Sequence, residues 1–322
     1  MARILTGDGM IKSVRQRTMT PDDTSTFTDD SVLDIIDEEL SAQVLDKLLL
    51  LHGENLTISV DVPSNIKGEY EIPYRAVGNK LRDISLVSGS SIYELTQISI
   101  GELPDYSYGD FSNQNLDKFY LENNKVKLIQ PTRTYTSVRI RYYLRPNYLT
   151  KMKEAGVVES VDKSDPDNIT INLSSVGKNF AQQEKYDIVG SNSPNKIKSF
   201  DHTATSYVKV GDTGTLVFDR SELESVLDDI AVGDYITLAE QTPVPNIPTE
   251  MHPLLAQAAA INILESLNDT EALTNATRRM DKMTKAIQSL IDDRVELAPK
   301  KIKQRHGTLA SSIGFNRRRG SN

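Results

Sequence analysis

The sequence predicts an α+β protein, a helical body built from N-terminal and C-terminal helices with a large β-rich middle region and extended termini. Three observations predict it. An apolar four-residue period runs from Val32 to Leu48, two-residue alternation recurs between about 54 and 240, and apolar steps of three and four residues return from Leu254 to Leu290. At 322 residues the chain has the length of about two domains. The patterns divide it into a flexible N-terminal arm (1–28), an N-terminal helix plus β-rich segment (29–150), a second β-rich unit (151–242), a proline link and C-terminal helical hairpin (243–298), and a basic C-terminal arm (299–322).

Residues 1 to 28 mix Thr, Ser, Asp and Gly with little periodicity, which reads as an arm that stays mobile unless a neighbour pins it. A helix is expected from Ser31, with Asp29 or Asp30 as N-cap and the acids of its first turns near the positive end of the helix dipole. Val32, Ile36, Leu40 and Val44 recur every four residues, Leu48 and Leu51 continue the face, and His52-Gly53 marks the stop. This is an amphipathic helix of about six turns.

The period then changes to two. Leu56, Ile58, Val60 and Val62 alternate with polar residues up to Pro63, the signature of a half-buried strand. Phe119 to Leu121 and Val126 to Leu128 flank Glu122-Asn123-Asn124-Lys125, a hairpin signal because Asn tolerates the positive φ that tight turns require. Val138, Ile140, Tyr142 and Leu144 alternate with Arg139, Arg141 and Tyr143, so the stretch from about 54 to 148 is read as mostly β.

The second β-rich unit opens with Val157 to Val161, a turn at 163–168, and Ile169 to Leu173. Residues 174 to 200, rich in Asn, Ser and Pro, read as a polar loop. Tyr207 to Val210 and Thr215 to Phe218 flank a Gly211-Asp212-Thr213-Gly214 turn, and Ser221 with Glu224 reads as a capping box for a short helix whose Leu223, Val226, Leu227 and Ile230 share a face. Gly233-Asp234 turns the chain into a last strand, Tyr235 to Ala239.

Pro243, Pro245 and Pro248 alternate with Val244, Asn246 and Ile247, a spacing that favours an extended, stiff connector. A helix follows with Pro253 in its first turn, carrying Leu254, Leu255, Ala258, Ile261, Leu264 and Leu267, and its Ala258-Ala259-Ala260 run permits close helix contact. Asn268 with Glu271 reads as a second capping-box start. Beyond it Leu273, Ala276, Met280, Met283, Ile287 and Leu290 form the cleanest periodicity in the chain, the core of a helical hairpin or a seam facing a partner.

Composition excludes several function classes. With no Cys there are no disulfides, thiolate metal sites or Cys nucleophiles. Met1 to Thr20 holds no apolar run longer than two residues, and no eighteen-residue apolar stretch occurs, so neither signal peptide nor membrane anchor is expected. His52, His202, His252 and His306 are far apart and form no HExxH pattern, leaving only a metal site assembled from distant parts, and no cofactor is expected. P-loop, GxSxG and GxGxxG strings are absent.

One enzyme-like string remains, Asp212-Thr213-Gly214, the letters of aspartic proteases. That chemistry needs two carboxylates sharing a proton, and no second DTG or DSG exists, so a homodimer would have to supply the mate. A hairpin turn also accounts for the Asp and Gly.

Charge is uneven around its formal net value of -8. Asp22, Asp23, Asp29, Asp30, Asp34, Asp37, Glu38 and Glu39 crowd one region, while Lys300, Lys301, Lys303, Arg305, Arg317, Arg318 and Arg319 make the C-terminal tail cationic, with Phe315 its one aromatic residue. A solvated terminus and a docking arm both fit this tail. About 24 extended residues could span on the order of 80 Å. Nucleic-acid binding by phosphate neutralisation is a third reading, opposed by the acidic balance of the rest of the chain.

Five further features stand in a fixed order: Ile72-Pro73-Tyr74-Arg75-Ala76 with Leu81-Arg82-Asp83-Ile84, Tyr142-Tyr143-Leu144-Arg145-Pro146, Val232-Gly233-Asp234-Tyr235, Pro243 to Pro248 leading into His252-Pro253-Leu254-Leu255, and Arg294 to Arg305 with Pro299-Lys300-Lys301-Ile302. Taken together, these strings resemble the head-tail connector (portal adaptor, or neck ring) proteins of tailed bacteriophages. Their order covers roughly residues 29 to 310. The resemblance implies a non-enzymatic structural component of the virion, in the neck or tail region and in host cytoplasm during assembly. It implies a homo-oligomeric ring, commonly a dodecamer, that joins the portal protein to downstream tail or neck proteins and passes double-stranded DNA without reading its sequence, with no membrane partner. It also implies that the C-terminal tail docks on the portal, which carries over here to Lys300, Lys301, Lys303, Arg305, Phe315, Arg317, Arg318 and Arg319. The β-rich unit at 156–240 is larger than the compact helical adaptors require.

Overall fold

The structure, a computed structural model, describes residues 5–20, 26–103, 117–129, 134–191 and 197–291. It is α+β as expected, with helices at both ends of the described chain and a β-rich middle. Three hydrophobic cores organise it, one helical and two in the β region.

The helical core begins earlier than the sequence suggested. Gly7–Thr18 is a helix, α1, so the arm expected over 1–28 is corrected there. The Thr6 side chain caps its start by accepting from the Gly9 N–H, and Met19, at a φ of 56°, ends it. Met10, Ile11 and Val14 are buried. Three apolar residues behind two first-turn glycines give a weak local signal, and packing against the rest of the core supplies what propensity does not.

The next helix runs as α2 (Asp29–Glu39), a π-helical turn (Leu40–Val44) and α3 (Leu45–His52). Its N-cap is Thr28, whose hydroxyl accepts from the Ser31 N–H, in place of the expected Asp29 or Asp30. Val32, Ile36, Leu40, Val44 and Leu48 are buried along one face, as their spacing predicts.

Two four-stranded sheets follow and share one core. Their strands are β1 (Thr57–Pro63), β2 (Glu69–Glu71), β3 (Ala76–Ser88), β4 (Ser91–Glu94), β5 (Thr96–Gln97), β6 (Lys118–Glu122), β7 (Lys125–Ile129) and β8 (Ser137–Leu144). The orders are β1-β8-β3-β4 and β2-β7-β6-β5. Asn123 and Asn124, with φ of 47° and 60°, make the expected hairpin turn between β6 and β7. Val138, Ile140, Tyr142 and Leu144 of β8 all point into the core, where they meet Tyr70, Phe119 and Val126 of the facing sheet. A short strand, β9 (Tyr148–Leu149), leads out of this unit.

The second β-rich unit is a closed six-stranded barrel. Its strands are β10 (Gly156–Asp162), β11 (Asn168–Ser175), β12 (Lys185–Val189), β13 (Ile197–Val210), β14 (Thr213–Asp219) and β15 (Tyr235–Leu238), in the order β10-β11-β14-β13-β12-β15 and closed by pairing of β15 with β10. The polar loop expected over 174–200 is corrected, since it contains β12 and the start of β13. Tyr186, Ile188 and Val189 are buried despite their polar neighbourhood, because closure of the barrel hides the unpaired edges a shorter sheet would leave. The capping box at Ser221 is also corrected. The helical turn α4 (Arg220–Leu223) starts after Asp219 without a side-chain cap, and Leu223 and Leu227 pack into the barrel core.

After β16 (Gln241–Thr242), which pairs in parallel with β9, the proline link enters the helical core. Pro243 to Ile247 are buried, so this segment is not a free connector, and the Pro243 carbonyl accepts from the Gly7 N–H at 2.8 Å. Helix α5 (His252–Ser266) has Pro253 in its first turn and is buried on nearly every side, which makes it the central helix. Asn268, at a φ of 57°, sits in the turn after it, and the Asp269 carboxylate accepts from the Ala272 N–H where Asn268 with Glu271 had been expected to cap. Helix α6 (Thr270–Ile291) buries Met280 and Ile287 in the helical core and Ala276 beside it, so over these residues the periodic face is intramolecular.

Candidate functional site

The most constrained group of polar side chains lies where the two-sheet unit meets the barrel. Arg75 stands just before β3, and Pro73 two residues earlier fixes the local turn, with the Pro73 carbonyl accepting from the Ala76 N–H at 2.9 Å. Its side chain is almost fully buried and faces Asp187 of β12, which is fully buried. Nη1 and Nη2 of Arg75 donate to the two carboxylate oxygens of Asp187 at 2.8 and 3.0 Å. Nη2 also donates to Asp201 at 2.8 Å, Nη1 to Asn147 Oδ1 at 3.2 Å, and Nε to the Tyr74 hydroxyl at 3.2 Å. All five N–H groups of the guanidinium are therefore used. The ring of Phe200 lies 5.1 Å from the guanidinium carbon and adds a cation–π contact.

Asp187 is equally saturated. Besides Arg75 it accepts from Asn147 Nδ2 at 2.6 Å and from the backbone N–H groups of Asp201 and Glu240, each at 3.0 Å. Asp201 takes a positive φ of 64°, which aims its carboxylate at Arg75 and at the Tyr74 hydroxyl, 2.5 Å away. Burial works against the Arg75 charge, but the bonds to Asp187, Tyr74 and Asp201 outweigh it and hold the guanidinium protonated well above its ordinary range. A site so fully bonded has no free donor, acceptor or titratable proton with which to hold a ligand or do chemistry. What it can do is fix the barrel on the two-sheet unit in one orientation.

The same junction reaches the helical core. Arg145 N–H donates to the Arg75 carbonyl at 2.8 Å, and Asn147 N–H to Asn246 Oδ1 of the proline link at 3.2 Å. On α2, both oxygens of Asp37 accept from the Leu149 N–H at 3.0 Å. Burial, reinforced by the nearby Asp34 charge and only partly offset by this bond, pushes Asp37 up to about 7. At the head of α5, the buried ring of His252 accepts from the Leu5 N–H through Nδ1 at 3.1 Å, and Nε2 donates to the Ile247 carbonyl at 3.3 Å. Its burial pushes the imidazole down to about 4, so it is neutral near neutral pH. A second internal ion pair, Lys198 to Asp234 at 2.6 Å, braces the end of the barrel where Asp234 also accepts from the Ala231 N–H.

The sequence-predicted residues fall elsewhere. Lys300, Lys301, Lys303, Arg305, Phe315, Arg317, Arg318 and Arg319 lie outside the described residues. Asp212 is exposed in the hairpin turn between β13 and β14, entered by Gly211 at a φ of 64°, and that turn accounts for the Asp-Thr-Gly letters. Among the described residues it has no carboxylate mate. The junction cluster went unseen as a unit because its members are scattered from 74 to 201. Its one local signal is Asp187 standing inside the apolar run Tyr186 to Val189, where a charge demands a partner. The chain matches no protein-family model and none of the curated proteins with which it was compared.

Proposed function

We propose that this chain is a structural, non-enzymatic component of a tailed-phage virion that forms a homo-oligomeric ring between the portal protein and downstream tail or neck proteins. One observation carries the reading: three of the strings on which the resemblance rests converge at a single buried junction. Ile72 to Ala76 supplies Arg75, Tyr142 to Pro146 supplies the Arg145 N–H bonded to the Arg75 carbonyl, and the proline link supplies Asn246. Strings far apart in sequence thus serve one structural purpose, rigid attachment of a barrel to a helix-and-sheet base. Rigid attachment is what a load-bearing ring subunit needs, and an unattached barrel would leave the subunit hinged.

The basic residues from Lys300 to Arg319 follow α6 and form the portal-docking arm, while the net charge of -8 suits a wall past which double-stranded DNA slides without adhering. No helix among the described residues is long and apolar enough to cross a membrane. Truncation after Pro299, which leaves every described element in place, tests the arm. Binding to purified portal rings is expected to be lost while the thermal unfolding profile is kept, and unchanged binding would overturn the arm assignment. Negative-stain images of the full chain with portal test the ring itself.

A further inference from the structure

A cleft of about 540 Å³ opens between α1 and α6, floored by α5. Two arginines face each other across it, Arg17 from α1 and Arg279 from α6. Arg17 is held in place from behind, for Nη1 donates to the buried Gln257 Oε1 at 2.6 Å and Gln257 Nε2 donates in turn to the Ala276 carbonyl at 3.2 Å. Nη2 of Arg17 has no hydrogen-bond partner among the described residues, and neither arginine has a carboxylate within ion-pairing distance among them. Gln16 and Asn275 add amide groups at the rim. Half-burying one cation beside another costs free energy, and burial together with Arg279 holds Arg17 below its ordinary range. A pair of unneutralised guanidiniums, one of them fixed by Gln257, is a receptor for oxyanions.

The matching anions are carried elsewhere on the same helical body, on the helix formed by α2 and α3, none of whose residues lines the cleft. The outward face of α2 and α3 carries Asp34, Glu38 and Asp46, all exposed and none ion-paired among the described residues. Asp34 and Glu38 stand four residues apart, a like-charge spacing that destabilises a helix. The subunit therefore bears two self-repelling features of opposite sign at separate places on its surface. Each would be relieved by the other only if they came from different copies.

We propose that the Arg17–Arg279 cleft of one copy receives the Asp34 and Glu38 carboxylates of the next, making the head-to-tail contact of the assembly. The proposal rests on the self-assembling reading above and names the surface that would perform it. A contact between two different faces propagates in one direction, and it closes into a ring when the rotation per copy divides a full turn.

Charge reversal in two full-length variants, with mixing, tests it. One carries Arg17→Glu with Arg279→Glu, the other Asp34→Arg with Glu38→Arg, and self-association is read by sedimentation velocity against the unaltered chain. Each variant alone is expected to self-associate at least tenfold more weakly, since its cleft and stripe then carry the same sign. An equimolar mixture should restore association, because each cleft again meets a stripe of opposite charge, and a merely misfolded variant would not be rescued in this way. Unaltered association of either variant alone, or failure of the mixture to recover, overturns the contact.

Rings that persist in both reversed variants would remove the contact and leave the ring reading standing. Rescue that yields open filaments would keep the contact and remove the ring. A full chain that stays monomeric at every concentration would remove both. Retention of duplex DNA by the unaltered chain, lost in the Arg17→Glu with Arg279→Glu variant while self-association is unchanged, would assign the cleft to phosphodiesters and overturn the proposal.

Discussion

Arg75 and Asp187, 112 positions apart, meet in a two-pronged ion pair at 2.8 and 3.0 Å that joins the two-sheet unit to the barrel. Desolvating both charges cancels much of what their attraction gains, so the pair is better regarded as a device for fixing orientation than as a large net stabiliser. Breaking it is another matter. Arg75→Ala would leave Asp187 buried with only neutral donors, and a loss of about 3–5 kcal/mol is expected. Arg75→Lys should lose a large part of the same amount, because an ammonium cannot reproduce the five-donor fork. Urea denaturation followed by barrel and helix signals checks both. In the Arg75→Ala background, Asp187→Asn should recover part of the loss, and the absence of any recovery would show that the uncompensated charge is not the cause.

His252 makes an acid-side prediction. Its imidazole is pushed down to about 4 in the fold against an ordinary value of 6.5, so the unfolded chain binds the proton first. The stability this residue permits is complete above about pH 6.5 and is lost as pH falls toward 4, at about 1.4 kcal/mol per unit of pH across that window. His252→Gln should flatten this slope while costing stability at pH 8 through the lost bonds to Leu5 and Ile247. Urea midpoints taken from pH 4.5 to 8 would reveal it, and an unchanged acid slope would refute the assignment.

Asp37 acts with the opposite sign. Raised to about 7 from 3.8, it holds its proton in the fold at pH values where the unfolded chain has released it. Its contribution is therefore full below about pH 4 and disappears as pH rises through 7, by at most about 1.4 kcal/mol per unit and less because the side chain is partly exposed. Asp37→Asn can still accept from the Leu149 N–H and carries no charge to bury. It should be more stable than the parent at pH 8, with the advantage fading toward pH 4, and equal stabilities at pH 8 would contradict it. Between about pH 4 and 6.5 the two residues oppose each other, so neither slope shows fully until one is substituted.

Elements with strong periodicity were legible in the sequence, and those shaped by closure were not. The face from Val32 to Leu48, the Asn123-Asn124 hairpin, β8 and the α6 face at Ala276, Met280 and Ile287 all follow local pattern, because the buried residues of each recur with the element's own period or turn chemistry. Strand β12 was hidden because residues 174–200 are dominated by turn-forming types, and only barrel closure makes Tyr186 to Val189 a buried strand. Helix α1 was hidden because its apolar face is three residues wide and depends on α5 for its stability. The Arg75 cluster could not be read at all from spacing, since four elements from distant parts of the chain contribute to it. The cationic run from Lys300 to Arg319 is visible in the sequence through charge alone, and it lies outside the described residues.

The docking of α1 yields a prediction in which two effects compete. Gly7 and Gly9 both occupy its first turn, where Ala ordinarily stabilises a helix over Gly by up to about 1 kcal/mol. At Gly9 a Cβ would make only ordinary contacts, 3.4 Å from Thr6 Oγ1 and 3.7 Å from Leu5, so Gly9→Ala should gain a few tenths of a kcal/mol or more. At Gly7 a Cβ would overlap the Thr150 carbonyl, a backbone atom held by the bond from the Thr150 N–H to the Thr242 carbonyl at 2.8 Å. Overpacking of this kind costs about 1–3 kcal/mol and outweighs the propensity gain. Gly7→Ala should therefore destabilise the docking of α1, seen as faster amide exchange at Met10, Ile11 and Val14 with little change in the barrel. If both substitutions stabilised the chain, α1 would not be seated against β9 and β16 in the way its glycine requires.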